Sequence, residues 1–368
     1  MAREKNKDKF LRLLKSPPPI FMILGFLVLG TIFSWIYISH LCCLNIGAFG
    51  PEVKAGEISE PSQPTEFYRR LDGIKALSSK EANIWPVAIM IENLYSVRPQ
   101  NGLSQAALVY ETYAEAGTTR CLTFYNGGSE KVEKIGPVRS ARHYFLPWVY
   151  ETAALFGHAG GSPQALGNIR DYDTNDFNGI GKEAKYFWRD SSISAPHNLF
   201  TSSEKIVYGL RDKGLLDKEA TFDMWNFKDE VSLAERPAEE KFVKVQFSSK
   251  SYEVEFKYNR ENNDYLRFNG GSPHIDKNNN QQIKAKNVVV QIVPPIGYLG
   301  EKGRIDMNVQ GEGKVLVFRD GQVIEGIWKK PDRVSRTQFY DSSGKKIPLN
   351  RGNTWVEVIP EDKTVEHN

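Results

Sequence analysis

The hydrophobic pattern divides the chain into an apolar run near the start, a mixed middle, and a second half of short alternating segments. No Lys, Arg, Asp or Glu occurs between Ser16 and Pro51, and within that stretch Ile20–Ile38 reads IFMILGFLVLGTIFSWIYI. At a helical rise this run spans ~28 Å, about the hydrocarbon thickness of a bilayer. In lipid every backbone group must be bonded internally, so the pattern predicts a transmembrane helix over 20–40. Trp35 and Tyr37 suit the membrane interface. Residues 1–19 form the flank that stays in the cytoplasm, because Arg3, Lys5, Lys7, Lys9, Arg12 and Lys15 outnumber Glu4 and Asp8 there. Everything after the helix is then expected outside the cytoplasm. Two other readings of this start stay open. A cleaved signal peptide would have a shorter apolar core, ~7–15 residues, and a small-residue cleavage site, which is not evident here. Lipid modification at Cys42 or Cys43 would need small residues before the cysteine, where His40 and Leu41 stand.

Residues 41–66 are rich in Gly, Pro, Glu and Ser and read as a spacer. A first domain is expected over 67–225, mixed α/β in character. PVAIMI (86–91), ALVYETYAEA (107–116), TRCLTFY (119–125) and AALFGH (153–158) read as strands. Ser140–Glu151 reads as a helix kinked at Pro147. Ser162-Pro163 opens another helix, with Ser as its cap and Pro in the first turn. Thr201 with Glu204 reads as the capping box of a third. The charged stretch 226–240, which holds Pro237, is read as a linker. From 241 to 360 the grammar changes to alternating runs such as KFVKVQFSS, SYEVEFKY, NVVVQIV and NTWVEVIP, a mainly antiparallel β domain. Arg319-Asp320-Gly321-Gln322 is a hairpin signature, since Asp-Gly supplies the positive φ of a two-residue turn. Residues 361–368 form a tail. The fold class is therefore α+β, preceded by a membrane anchor helix.

The net charge is +3 and the sequence pI about 8.5. The N-terminal flank accounts for this excess, so the remainder is near neutral and no nucleic-acid footprint is present. Three cysteines form neither a disulfide framework nor a CxxC metal pattern. Cys121 falls within a strand and is expected to pack as a small hydrophobe. No cofactor signature and no metal set emerges.

An ordered string of motifs covers most of 67–360. RRLDGI (69–74), PVAIMIEN (86–93), RPQNGLSQAALVYETYAEAGTTR (98–120), KIGPVRSARHYF (134–145), HAGGSP (158–163) and SAPHNLFTS (194–202) lie in the first half. LRFNGGSPH (266–274), GRIDMNVQGEGK (303–314), FRDGQVIEGIWKK (318–330) and NTWVEVIP (353–360) lie in the second. The string resembles the YerB-like family of bacterial envelope lipoproteins. That resemblance implies an envelope location and an N-terminal and C-terminal domain pair, and no particular reaction. The chain departs from the lipoprotein pattern where a transmembrane run stands in place of a lipid-modified cysteine.

The candidate chemistry is concentrated in the first domain. Glu111, Tyr113 and Glu115 alternate onto one face of a predicted strand. The two glutamates would stand ~13 Å apart, too far for a glycosidase pair; the alternative is that they hold arginines. Arg139, Arg142 and His143 would share a helix face, where two arginines can grip a carboxylate or phosphate. Their alternative role is pairing with Glu92, Glu111 or Glu115. His158-Ala-Gly-Gly-Ser162-Pro163 places a histidine at the end of a strand and then a helix N-terminus, a site for an anion or a mere tight turn. Gly160 and Gly161 would let a ligand approach the backbone. His197 and Asn198 lie in a loop before a capped helix. His158 and His197 could meet in one cleft, with Asp173, Asp176 or Glu111 completing a metal set, on weak spacing. Ser140 or Ser162 could enter a Ser-His-acid arrangement, although no G-x-S-x-G elbow is present. Trp328, Trp355, Phe318 and Tyr340 could form a sugar-stacking surface or a core. Lys329-Lys330 and Arg333 with Arg336 read as a solvated edge.

Two functions follow. One is a non-catalytic envelope module, with Arg139, Arg142, His158, Gly160, Gly161, Ser162, His197 and Asn198 receiving an anionic wall polymer, a peptidoglycan fragment or a protein partner. The other is an enzyme on envelope polymers, with His158, Glu111, Glu115 or His197 as acid–base and the arginines as an anion clamp.

Overall fold

Seven successive buried residues, Pro86–Glu92, make strand β1, and the main sheet grows from it on both sides. The computed structural model describes residues 66–300 and 303–368. Strands β2 (Leu108–Tyr113), β3 (Thr119–Asn126), β4 (Leu155–His158) and β5 (Asp176–Asn178) come from the first half. β3 lies antiparallel between β1 and β2, while β4 and β5 continue in parallel beyond β1. An uninterrupted run of buried side chains is what a strand covered on both faces requires, and Val87, Ile89, Met90 and Ile91 are wholly buried.

The second half supplies two sheets. β6 (Phe242–Gln246), β7 (Glu253–Asn259) and β8 (Asp264–Asn269) form an antiparallel sheet, to which the C-terminal strand β14 (Val365–His367) adds beside β6. β9 (Asn287–Val293), β10 (Gly311–Arg319), β11 (Gln322–Lys330), β12 (Gln338–Asp341) and β13 (Thr354–Pro360) join the main sheet instead. The resulting ten-stranded order is β12-β11-β10-β9-β13-β2-β3-β1-β4-β5. Its two halves meet where β13 pairs in parallel with β2, from Thr354↔Leu108 to Glu357↔Glu111. The seam is therefore a hydrogen-bonded ladder rather than a flexible joint. The stretch 226–240 carries its own short pieces: Phe227–Lys228 pairs with Leu349–Asn350, and Leu233–Glu235 makes a 3₁₀ turn.

The protein is mostly β, with few and short helices. α1 (Leu146–Tyr150), α2 (Pro163–Asp171) and α3 (Ser203–Asp212) pack on the first half. Ser162 caps α2 through Ala165 N–H, and Pro163 begins it. The cap of α3 is Ser202, not Thr201. Thr201 is buried, bridges Ile135 and donates its hydroxyl to the Tyr186 carbonyl, so it is held by the core. The helix expected from Ser140 begins only at a 3₁₀ turn, His143–Phe145, with Pro147 in the first turn of α1 rather than at a kink. Proline has no N–H to give and fits a helix start better than its interior. The Asp320-Gly321 turn has φ of 53° and 69°, as a two-residue hairpin demands.

Trp328, Trp355 and Phe318 are buried core residues, and Phe256 packs edge-on to Trp355 at 6.1 Å. Cys121 is buried in β3. Among the described residues no helix is long and apolar enough to cross a membrane. The expected anchor over 20–40, with the segments 1–19 and 41–65, lies outside the described residues.

Candidate functional site

Glu92 ends β1 and faces Arg120 of β3 in register, so the two side chains stand on one face at the edge of the sheet. The segment that follows β3 returns along β1: Arg139 N–H donates to the Met90 carbonyl, and Ala159 N–H donates to the Arg139 carbonyl. This threading brings Arg139 and Arg142 to the same edge on extended backbone, not on a shared helix face as the sequence suggested. Arg142 has φ −127° and ψ 143°.

Each arginine meets an acid. Arg139 lies 3.2 Å from Glu92 and donates to the Pro196 carbonyl. Arg142 grips Glu115 with Nε and Nη2, the latter at 2.8 Å. Arg120 adds a longer contact to Glu115, 3.4 Å, and donates to the Ser140 carbonyl. Glu115 is not on β2, which ends at Tyr113; it sits in a 3₁₀ turn, so it shares no strand face with Glu111. Burial pushes the Glu115 carboxyl up, but Arg142 and Arg120 outweigh it and hold the group below its ordinary value. Burial, then repulsion from Arg142, lowers the Arg120 guanidinium to about 10. Three arginines thus stand against two carboxylates, which leaves the cluster cationic. Arg120 carried the least signal in the sequence, a single charge in an otherwise apolar strand.

His197 joins this cluster. Its Nδ1 donates to Glu92 at 2.8 Å. Nε2 has no partner among the described residues, and the side chain is about a quarter exposed, 28%. A buried carboxylate that fixes one ring nitrogen and leaves the other open is the arrangement used to orient an acid–base histidine.

The other sequence candidates lie elsewhere. His158 is wholly buried; its Nδ1 donates to the Gly160 carbonyl and its Nε2 lies 2.7 Å from Asp176. It therefore meets neither His197 nor solvent. The N–H groups expected to cradle an anion are already bonded: Gly160 to Asn178 Oδ1, Ser162 to the Ala141 carbonyl, and Ala165 to the Ser162 cap. Gly161 lies close against Ala141. Asn198 is buried and bonded to Arg189 and Asp190. Ser140 donates to the Ala159 carbonyl, which leaves neither serine placed as a nucleophile.

Glu111 is wholly buried in a second network. It accepts from Asn93 at 2.8 Å, from Thr119, and from Arg267 of β8. Arg267 also donates to His274, whose Nε2 donates to Gln100 at 2.8 Å. Burial, then repulsion from Arg267 and Arg98, drives the His274 imidazole far below its ordinary value, so it is neutral and free to accept. This network ties the second half to the first and has no solvent-facing acid. A further departure concerns the expected solvated edge: Lys330 and Arg336 are buried against Glu151, because that acid lies inside the fold.

Comparison with known proteins agrees with this two-part arrangement. Residues 71–216 match the family described as "Protein of unknown function (DUF3048) N-terminal domain", and residues 243–356 match its C-terminal domain. A relative from Bacillus subtilis (strain 168), named "Putative lipoprotein YerB", is 30% identical over 304 residues, covering 82% of this chain and 88% of the relative. The crystal structure of the YerB protein from Bacillus subtilis superposes with a TM-score of 0.71 at 28% identity, covering 82% of this chain and 99% of that one. On both its domains and the length of the match, the chain belongs to the YerB-like family, the DUF3048 proteins.

Proposed function

We propose that this is a membrane-anchored, extracytoplasmic protein of the cell envelope that binds an anionic group of a wall polymer, peptidoglycan fragment or envelope protein. The observation that carries the reading is the charge imbalance of Arg120, Arg139 and Arg142 against Glu92 and Glu115. A surplus cation in a partly buried cluster is satisfied by an incoming carboxylate or phosphate. His197 and Arg139 are both partly exposed, at 28% and 21% of the side chain. The single membrane span at 20–40 is supported by the apolar run and its basic flank. The relative's lipoprotein name supports the same side of the membrane.

The test is binding of purified anionic wall fragments to the wild type and to Arg139→Gln, with circular dichroism as the control for folding. The variant is expected to bind about tenfold more weakly, the range for a lost hydrogen bond to a charged group. Unchanged binding by a folded variant overturns the reading.

One observation favours a second reading, a hydrolase or transferase acting on envelope polymers. The Glu92–His197 pair has the geometry of an oriented acid–base, with Arg139 beside it as the clamp. Incubation with muropeptides and mass analysis would show new products with wild type and none with His197→Gln. No turnover by wild type removes this reading and leaves the binding one.

A further inference from the structure

Lys330 of β11 and Arg336 converge on one buried acid, Glu151, which follows α1. Glu151 accepts from Arg336 Nη1 at 2.6 Å, from Lys330 Nζ at 2.9 Å, and from the Thr337 N–H and hydroxyl. Burial pushes the Glu151 carboxyl up, but Lys330 and Arg336 hold it below its ordinary value, so it remains charged. Two buried cations thus share one buried carboxylate, and the exposed Asp332 also interacts electrostatically with Lys330.

Arg336 is 3% exposed and stacks on Trp225 with its guanidinium carbon 4.0 Å from the ring centre. Among the described residues its Nε and Nη2 have no hydrogen-bond partner, and neither has Nε2 of Gln338, a residue 8% exposed. Both residues border one cavity of about 560 Å³, together with Lys329, Lys346, Glu312 and Asp223. Lys329 is engaged by Glu312 at 3.2 Å, and Asp223 is exposed. With Glu151 and Lys330 behind the wall and Asp332 between the lining residues Pro331 and Ser335, the charges balance, so the unpartnered donors are what mark the cavity. Buried donors without acceptors call for a missing partner, commonly an ion or water.

We infer that this cavity is an oxyanion site, separate from the arginine cluster, which takes a small carboxylate or phosphate group. Its oxygens accept from Gln338 and from the guanidinium edge of Arg336, and Lys346 adds charge at the rim. The arrangement offers two or three donors to one group, which suits a ligand's terminal oxyanion more than a neutral sugar hydroxyl.

The experiment titrates the full-length protein in detergent with inorganic phosphate and, separately, with acetate, by calorimetry and thermal melting. Saturable binding of at least one anion, with a raised melting temperature, is expected; the stronger of the two identifies tetrahedral or planar recognition. Gln338→Met and Lys346→Gln are each expected to weaken it by about three- to tenfold. Arg336→Gln is expected to abolish it; should that variant not fold, the other two decide. The inference is overturned if neither anion saturates the wild type. Unchanged binding in both Gln338→Met and Lys346→Gln overturns it equally.

Discussion

Glu357 and Glu111 are register partners across the parallel strands β13 and β2, side by side and wholly buried at the seam of the two halves. They differ in company. Glu111 accepts three hydrogen bonds, one from Arg267, whereas among the described residues both oxygens of Glu357 lack a hydrogen-bond partner and Arg267 lies 3.9 Å away. Burial, then the charge of Glu111, raises the Glu357 carboxyl well above the ordinary 4.5 of a glutamate, with partial relief from Arg267. The neutral form of Glu357 is thereby favoured, which spares the pair a second buried charge beside Arg267.

A pH dependence of stability follows. For a carboxyl raised in the folded state, the stabilising contribution is complete below the unfolded value and is lost as pH rises toward the folded one. Wild type should therefore lose stability from about pH 4.5 upward through this group. Glu357→Gln cannot ionise, so its stability relative to wild type should improve steadily between pH 5 and pH 8 in urea melts, as roughly the linkage relation requires. An unchanging difference across that range would show Glu357 to be charged.

Arg267 is the counter-charge of the seam, and its guanidinium also lies 4.4 Å from the centre of the Trp355 ring. Arg267→Met should cost ~3–5 kcal/mol, because it strands the Glu111 charge in the interior. Adding Glu111→Gln to that variant should recover part of the loss, as measured by equilibrium denaturation.

The shared sheet makes a prediction about cleavage. Residues Asp229 and Glu230, with Glu239 and Glu240, are exposed between the two family domains. A protease site introduced at 238–240 should give two fragments in denaturing gels that still co-elute on gel filtration. They should separate only in denaturant, since the β13–β2 ladder and the buried Arg267 network hold them together. Separation under native conditions would mean that the ladder contributes little.

Ser162 acts as a cap and not as a nucleophile. Ser162→Ala should destabilise the protein by ~0.5–2 kcal/mol, the usual cost of a lost cap. It should leave binding of wall fragments unchanged, and a loss of binding without loss of stability would return Ser162 to the site.

The sequence already carried much of this protein. The buried β1 and β3 strands, the Ser162 cap and the Asp320-Gly321 turn depend on neighbours in the chain, and local pattern expresses such constraints directly. The motif string likewise carried the family, and Glu92 and Glu115 stood among the acids that Arg139 and Arg142 could meet. What local pattern could not express was pairing over distance. Whether Arg142 lies on a helix or an extended strand depends on Met90 and Gly160, which bond its flanking backbone. Lys330 and Arg336 read as a solvated edge until Glu151 was placed beneath them, 179 and 185 residues away in the chain. Glu111 turned from a candidate acid into a seam residue for the same reason, since Arg267 reaches it from another sheet. Apolar periodicity decides which side chains are covered, because covering them is favourable in almost any arrangement. A buried charge is tolerated only beside its specific partner, and only the tertiary structure selects that partner.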